Sequence, residues 1–317
     1  MNIRRAAGSA TAVACASLAL AGCGSSGSSS TDGPTVLASF YPLAFVAERV
    51  GGDDVTVENL TQPGAESHDL ELTARQVGQV ADADLVVYLQ GFQPSVDAAV
   101  EQNAEGAALN TADVVELEHH ESDEDDEQHD EDRDEHGDHD HGDLDGDPHI
   151  WLDPTNLVSI ADAVAEHLAE IDPDHAERYR ANADELAAEL NQLDSEFAAG
   201  LEQCERDTIV VAHEAFGYLA DRYGLHQVGI AGLDPDAEPS PERVAEIHEI
   251  VEAEDVTTIF YERLVSPKVA ETVAADLGVE TAVLDPIEGR TDETADQDYL
   301  ALMRANLEAL RAANGCG

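Results

Sequence analysis

The 317-residue chain predicts an α/β protein of two lobes joined by one long helix, and three observations carry that reading. Strand-like and helix-like segments alternate from Pro34 onward, as they do where helices cover a parallel sheet. One helical stripe then runs from residue 173 to about residue 203, and a second alternating series follows it. With 43% hydrophobic residues, there is apolar material for two buried cores of ordinary size.

In the first lobe, residues 36–40 read as a short apolar strand, 43–50 as a helical segment and 55–60 as an alternating strand. Thr73-Ala-Arg-Gln76 has capping-box form, in which hydroxyl and side-chain amide each satisfy a backbone N–H at a helix start. Residues 85–89 are a continuous apolar run of the kind a parallel sheet buries on both faces. Asp153-Pro154 and Asp172-Pro173 each place a capping carboxylate before a proline, whose fixed φ suits the first helical position. Beyond the second of these, Tyr179, Leu186, Leu190, Leu193, Phe197 and Leu201 fall on one stripe. Roughly 30 residues at 1.5 Å rise span about 45 Å, more than the width of one lobe. The second lobe has strand-like segments at 208–212, 257–261 and 280–284, with helices beginning near Ala215, Pro241 and Pro267. Ser240 and Ser266 read as caps, and 292 to about 313 as a closing helix. Two such lobes define a cleft at the carboxyl ends of their strands, where open α/β sheets bind ligands.

Asp and Glu number 69 against 15 Lys and Arg, a net charge of −54. A nucleic-acid partner is excluded on that balance, because a polyanion is repelled and few cations are present to displace its counterions. Cations are the natural partners. Residues 116–147 concentrate the acidity in 18 Asp and Glu, one Arg and six His, namely His119, His120, His129, His136, His139 and His141. With almost nothing to bury, the tract is expected to be a disordered loop, either a low-affinity metal collector or a solvated spacer. It holds −17 of the charge, which leaves −37 elsewhere, so the acidity belongs to the whole surface.

Arg4 and Arg5, a small apolar stretch over 6–21 and then Leu20-Ala21-Gly22-Cys23 look like a lipoprotein signal with its lipobox. Residues 1–23 are expected to be that signal, Cys23 the lipidated residue and 24–34 a flexible Gly/Ser tether. Cys15 leaves with the signal, so Cys204 and Cys316 remain as an even pair, expected to bridge in an oxidising, extracytoplasmic compartment. The rest divides into an amino-terminal lobe (35–171), a linking helix (172–203) and a carboxyl-terminal lobe (204–317).

Seven histidines lie outside the acidic tract. His167, His175, His226 and His248 fall on helices or in polar turns and read as surface residues. His68 follows the second strand, His149 follows Asp147-Pro148, His213 closes the strand at 209–212, and Asp285 ends the strand at 280–284. Singly, each histidine is more often a satisfied hydrogen-bonding residue than a ligand. Together, three imidazoles and a carboxylate at strand ends in both lobes form a tetrahedral shell for a borderline cation such as Zn2+.

The segments Gly64-x-x-x-His68, His149-Ile-Trp151-Leu-Asp153-Pro154, Val211-Ala-His213-Glu-Ala-Phe216 and Leu284-Asp285-Pro-Ile-Glu-Gly289 resemble those of the substrate-binding lipoproteins of zinc and manganese ABC importers. The resemblance runs from about Val36 to the C-terminus and includes a charged His-rich loop before the second ligand. It implies two lobes bridged by a rigid helix with metal at their interface, His68 and His149 from the first lobe and His213 and Asp285 from the second. Leu72-Thr73 stands where members often have a proline, and Ile259 near where many zinc members have a cysteine. His213 occupies the position at which manganese members carry a carboxylate, which favours zinc over manganese; iron and nickel also accept imidazole, so a manganese- or iron-binding importer component is the alternative.

The implied partners are a divalent metal ion as cargo, a cognate membrane permease, and the membrane through a lipid anchor, with a monomer as the expected state. Glu66 or a water is a further candidate donor. A zinc enzyme is the first rival, but His213-Glu214 has Gly217 where a metalloprotease has its second histidine, and no general base accompanies the candidate ligands. A metal-binding surface adhesin is the second. Because neutral imidazoles are needed, affinity is expected to fall below about pH 6.

Overall fold

The computed structural model describes residues 33–119 and 146–317. The signal segment, Cys23, most of the tether, and His120, His129, His136, His139 and His141 lie outside the described residues.

Strands β1 (Thr35–Ala38), β2 (Thr56–Asn59), β3 (Leu85–Tyr88) and β4 (Ala108–Asn110) form an all-parallel sheet in the order β2-β1-β3-β4. Strands β5 (Thr208–Val211), β6 (His226–Gly229), β7 (Thr258–Tyr261) and β8 (Glu280–Val283) repeat the arrangement as β6-β5-β7-β8. Parallel neighbours need crossover connections. In the first lobe these include α1 (Tyr41–Gly51), α2 (Ala74–Asp82) and α3 (Pro94–Asn103). Between the sheets run α4 (Pro154–Ile171) and α5 (Ala176–Leu201), and the second lobe adds α6 (Gly217–Tyr223), α7 (Pro241–Ala253), α8 (Lys268–Leu277) and α9 (Tyr299–Asn314). Each sheet reverses its strand order beside its first strand, which opens a crevice at the carboxyl ends.

Several local readings hold. The Gln76 N–H donates to Thr73 Oγ1 at 3.3 Å and the Thr73 N–H to Gln76 Oε1 at 3.0 Å, the reciprocal pair of a capping box. Asp153 accepts from the Thr155 N–H at 2.8 Å, and Ser240 from that of Arg243 at 3.0 Å. Others need correction. Asp172 does not cap α5: its carboxylate pairs with the His175 ring and accepts from the Tyr179 hydroxyl, and a single 3-10 turn lies between it and α5. Ser266 likewise makes no cap, and α8 begins after Pro267. The closing helix starts at Tyr299, where Asp298 accepts from the Ala301 N–H, later than the sequence pattern suggests. Strands β4 and β6 went unread: one has three residues, and the other begins with the polar His226-Gln227.

At 26 residues α5 is about 39 Å long. Its apolar stripe is buried, and it touches both lobes. Asn182 donates to the Val50 carbonyl at the end of α1 and Glu189 pairs with Arg49, while Asp194 meets Arg222 of α6 and Glu196 meets Arg304 of α9. At Gly200 a Cβ would come within 3.0 Å of Leu307, so glycine lets α9 approach. One continuous apolar core joins the lobes, from Val36 and Trp151 to Phe216 and Tyr299, and packing across it sets the crevice. Cys204 and Cys316 are disulfide-bonded and fasten the C-terminus beside the entry to β5. Among the described residues no helix is long and apolar enough to cross a membrane.

Candidate metal site

His149 enters the crevice from a buried turn. Asp147 Oδ1 accepts both the His149 backbone N–H at 2.9 Å and its ring Nδ1–H at 2.7 Å, fixing main chain and imidazole together. The following Ile150–Leu152 turn is fully buried, and the Trp151 indole donates to the Pro286 carbonyl of the second lobe at 2.6 Å. His213 follows β5, and its Nδ1 donates to Glu262 Oε1 at 2.5 Å from the residue after β7. A carboxylate on each Nδ1 holds a proton there and turns Nε2 into the crevice, where the neutral ring presents its lone pair. The two Nε2 atoms are 3.4 Å apart.

His68 comes from the loop after β2. The Gln93 amide bridges Thr61 Oγ1 and the Ser67 carbonyl, both at 3.0 Å. Glu66 accepts the N–H groups of His68 and Asp69, so its carboxylate shapes the loop. The His68 ring meets the Phe92 ring edge-on at 4.6 Å between centroids.

The carboxylate that falls among the three imidazoles is not the expected Asp285 but Glu288. Asp285 is buried, but its Oδ1 accepts from the Ile287 N–H at 2.9 Å and its Oδ2 faces Arg263 Nε at 3.3 Å. It heads a tight turn in which Ile287 takes φ 60°, a strained value for a β-branched residue. That turn carries the chain past Asp285 and projects Glu288 inward. Glu288 Oε1 lies 3.4 Å from His68 Nε2, 3.5 Å from His149 Nε2 and 3.7 Å from His213 Nε2. One donor atom from each of His68, His149, His213 and Glu288 falls within 4.8 Å of the others, and all but His68 are buried. Bonds of about 2.0–2.1 Å to a tetrahedral ion place donors about 3.4 Å apart, which is the scale found here.

Charge is balanced within the group. Burial opposes a proton on His149, yet the Asp147 and Glu288 carboxylates outweigh it and push its pKa up to about 9. Burial also opposes ionisation of Glu288, but hydrogen bonds from His149 and His68 and the neighbouring imidazole charge hold it well below the usual carboxylate range. Asp285 moves the other way, raised to about 6 chiefly by burial despite the Ile287 N–H and Arg263. Both shifts favour the charged forms, so His149 and Glu288 make a buried ion pair.

His68, His149 and His213 are brought together as the sequence suggested, Asp285 stands beside them, and Glu288 was missed although it lies in the same quoted segment. Asp147 and Glu262 were also missed, and each has a positional signal: one sits two residues before a candidate ligand, the other directly after a strand. Glu214 stays out of the group, 3.8 Å from Arg243. The half-buried His167 and His175 bond to the Ala163 carbonyl and to Asp172, and His226 is exposed. In the acidic tract only His119 is described, at the surface.

The chain is 34% identical over 286 residues to the zinc-binding lipoprotein AdcA of Streptococcus pneumoniae (strain ATCC BAA-255 / R6), covering 87% of this chain and 55% of AdcA. It therefore spans about half the length of the AdcA proteins it matches. Identity to the high-affinity zinc uptake system protein ZnuA of Bacillus subtilis (strain 168) is also 34%, over 310 residues, 94% of this chain and 95% of that protein. Among solved structures, the Zn(II)-bound ZnuA-like domain of S. pneumoniae AdcA superposes with a TM-score of 0.72 at 31% identity, covering 89% of this chain and 99% of the domain. The family model for the periplasmic zinc-uptake complex component A, ZnuA, matches residues 36–313, and the chain belongs to that family.

Proposed function

We propose that the protein captures one Zn2+ in the crevice between its lobes, with His68, His149, His213 and Glu288 as ligands, and delivers it to the permease of an ABC importer. The observation that carries this reading is the convergence of three carboxylate-oriented or ring-packed imidazoles and Glu288 on one buried point. Three nitrogens and one oxygen suit zinc better than an oxygen-preferring ion such as manganese. Residues 1–23 serve as a lipoprotein signal, Cys23 carries the anchor at the outer face of the membrane, and 24–34 act as its tether to a monomeric body. The division into lobes at 35–171 and 204–317 around the linking helix, and the collector role of the His-rich loop, belong to the same proposal. Its role is binding and delivery rather than catalysis, and Glu214, the residue a hydrolytic reading would need, is turned toward Arg243.

The test is zinc-limited growth of cells lacking the protein. Wild-type chain should restore growth and cellular zinc, while His213→Ala should do neither although present at normal level. Restoration by His213→Ala would sink the transport reading and leave an adhesin as the better account.

A further inference from the structure

Beside the loops that carry His68 and Glu288 lies a second electrostatic anomaly. Eleven arginines fall among the described residues, and nine have a carboxylate oxygen within 4.0 Å. Arg75 and Arg290 do not; the exposed Lys268 is the remaining cation without one among the described residues. In a chain with 69 carboxylates a guanidinium meets one by default. Two that meet none line the same cavity of about 390 Å3.

The cavity straddles the lobes. Arg75, in the first turn of α2, stands with Tyr41 and the loop after β2 on one side, and Gly289 and Arg290 form the other. The Gly64 N–H donates to the Arg290 carbonyl at 2.7 Å, which joins the two walls. The Arg290 guanidinium lies over the Tyr41 ring, 4.7 Å from its centroid, and Nη1 donates to the Ala295 carbonyl at 3.3 Å. Those contacts fix its plane and leave the rest of its fork for a planar acid group. Glu58 also lines the cavity, its carboxylate engaged by the Gln79 amide, so a ligand must bring its charges to the two guanidinium groups.

We infer that this cavity binds a small dicarboxylate anion, one carboxylate on Arg75 of the first lobe and the other on Arg290 of the second. Arg290 is two residues from Glu288, and its carbonyl holds Gly64, four residues before His68, so the anion braces both loops. The anion site stands without the zinc reading; its coupling to metal rests on that reading.

Succinate titrated calorimetrically into metal-free protein tests the site. At an ionic strength of about 0.15 M the Debye length is about 8 Å, so the local arginines outweigh the distant acidic surface. The expected result is saturable one-to-one binding that Arg75→Gln and Arg290→Gln each weaken by about 10–100-fold, while Lys268→Gln leaves it unchanged. Thermal melts matching wild type establish that the variants fold. Absence of saturable binding, or binding that both variants retain, overturns the anion site. Zinc is then titrated with and without saturating succinate: an affinity change in wild type that Arg290→Gln abolishes supports the coupling, and no change in wild type overturns it.

Discussion

Four side chains distant in the chain make the candidate site, and each is held by a neighbour chosen for its chemistry. His149 and His213 are oriented by buried Asp147 and Glu262. Replacing either carboxylate by its amide, Asp147→Asn or Glu262→Gln, should lower zinc affinity about 10–100-fold, since the ring then loses the partner that fixes its tautomer. Glu288→Gln removes the charge nearest the ion and should cost more than either; Asp285→Asn should cost less, because Asp285 shapes the turn. Competition with a chelator of known affinity checks the ranking, and an Asp285 variant weaker than the Glu288 variant would return Asp285 to the shell. Acidity enters through His149. Its pKa is raised from 6.5 to about 9 in the metal-free protein, so a proton must leave when zinc binds below that pH. Affinity should therefore climb by up to about tenfold per pH unit toward pH 9, instead of levelling off above about pH 6 as unperturbed imidazoles would. Metal-free stability has the opposite sign: the contribution of protonated His149 is complete below pH 6.5 and is lost as pH rises through about 9. Melts and zinc titrations across pH 6–9 check both slopes.

At the scale of elements, the strands and caps with strong local signals were legible. Residues 85–89 could hardly be anything but a buried strand, and Thr73 with Gln76 closed the capping box that their spacing promised. What escaped was set by tertiary context. The turn from Asp285 to Glu288 reverses the expectation of which acid faces inward, and nothing in the local sequence states that Ile287 will take φ 60°. Tertiary contacts stabilise that turn: Asn306 of α9 accepts the Asp285 N–H at 2.9 Å and donates to its carbonyl at 2.6 Å, and Trp151 holds the Pro286 carbonyl. Trp151→Phe keeps most of the ring packing and deletes one hydrogen bond worth about 1 kcal/mol. Because that bond ties the His149 segment to the Glu288 turn, zinc affinity should fall about fivefold, with little change in its preference over manganese. A variant that binds zinc as tightly as wild type would show that the turn holds its shape without the indole.

Across the whole molecule, α5 and the shared core make the crevice a product of packing, and the stripe from Tyr179 to Leu201 marks that helix in the sequence itself. The disulfide was readable from cysteine arithmetic and sits at the entry to β5, at the opposite end of the second sheet from the crevice. Replacing both cysteines by serine should therefore lower stability by up to about 4–5 kcal/mol, the chain-entropy value for a loop of about 100 residues, while leaving zinc affinity within about twofold. Thermal melts and zinc titration of Cys204→Ser/Cys316→Ser read the two effects separately. The acidic tract contributes a separate expectation: its histidines gather metal weakly, and the crevice holds it.

The measurement that bears most directly on the account is zinc titration of metal-free wild type, His149→Ala and a chain lacking residues 119–141. One tight ion per wild-type chain, nearly unchanged by the deletion and weakened by more than about 100-fold in His149→Ala, is the predicted outcome, since losing a ligand should exceed losing an orienting partner. Tight binding that survives His149→Ala and disappears with the deletion would put the true site in the loop and contradict the four-ligand crevice.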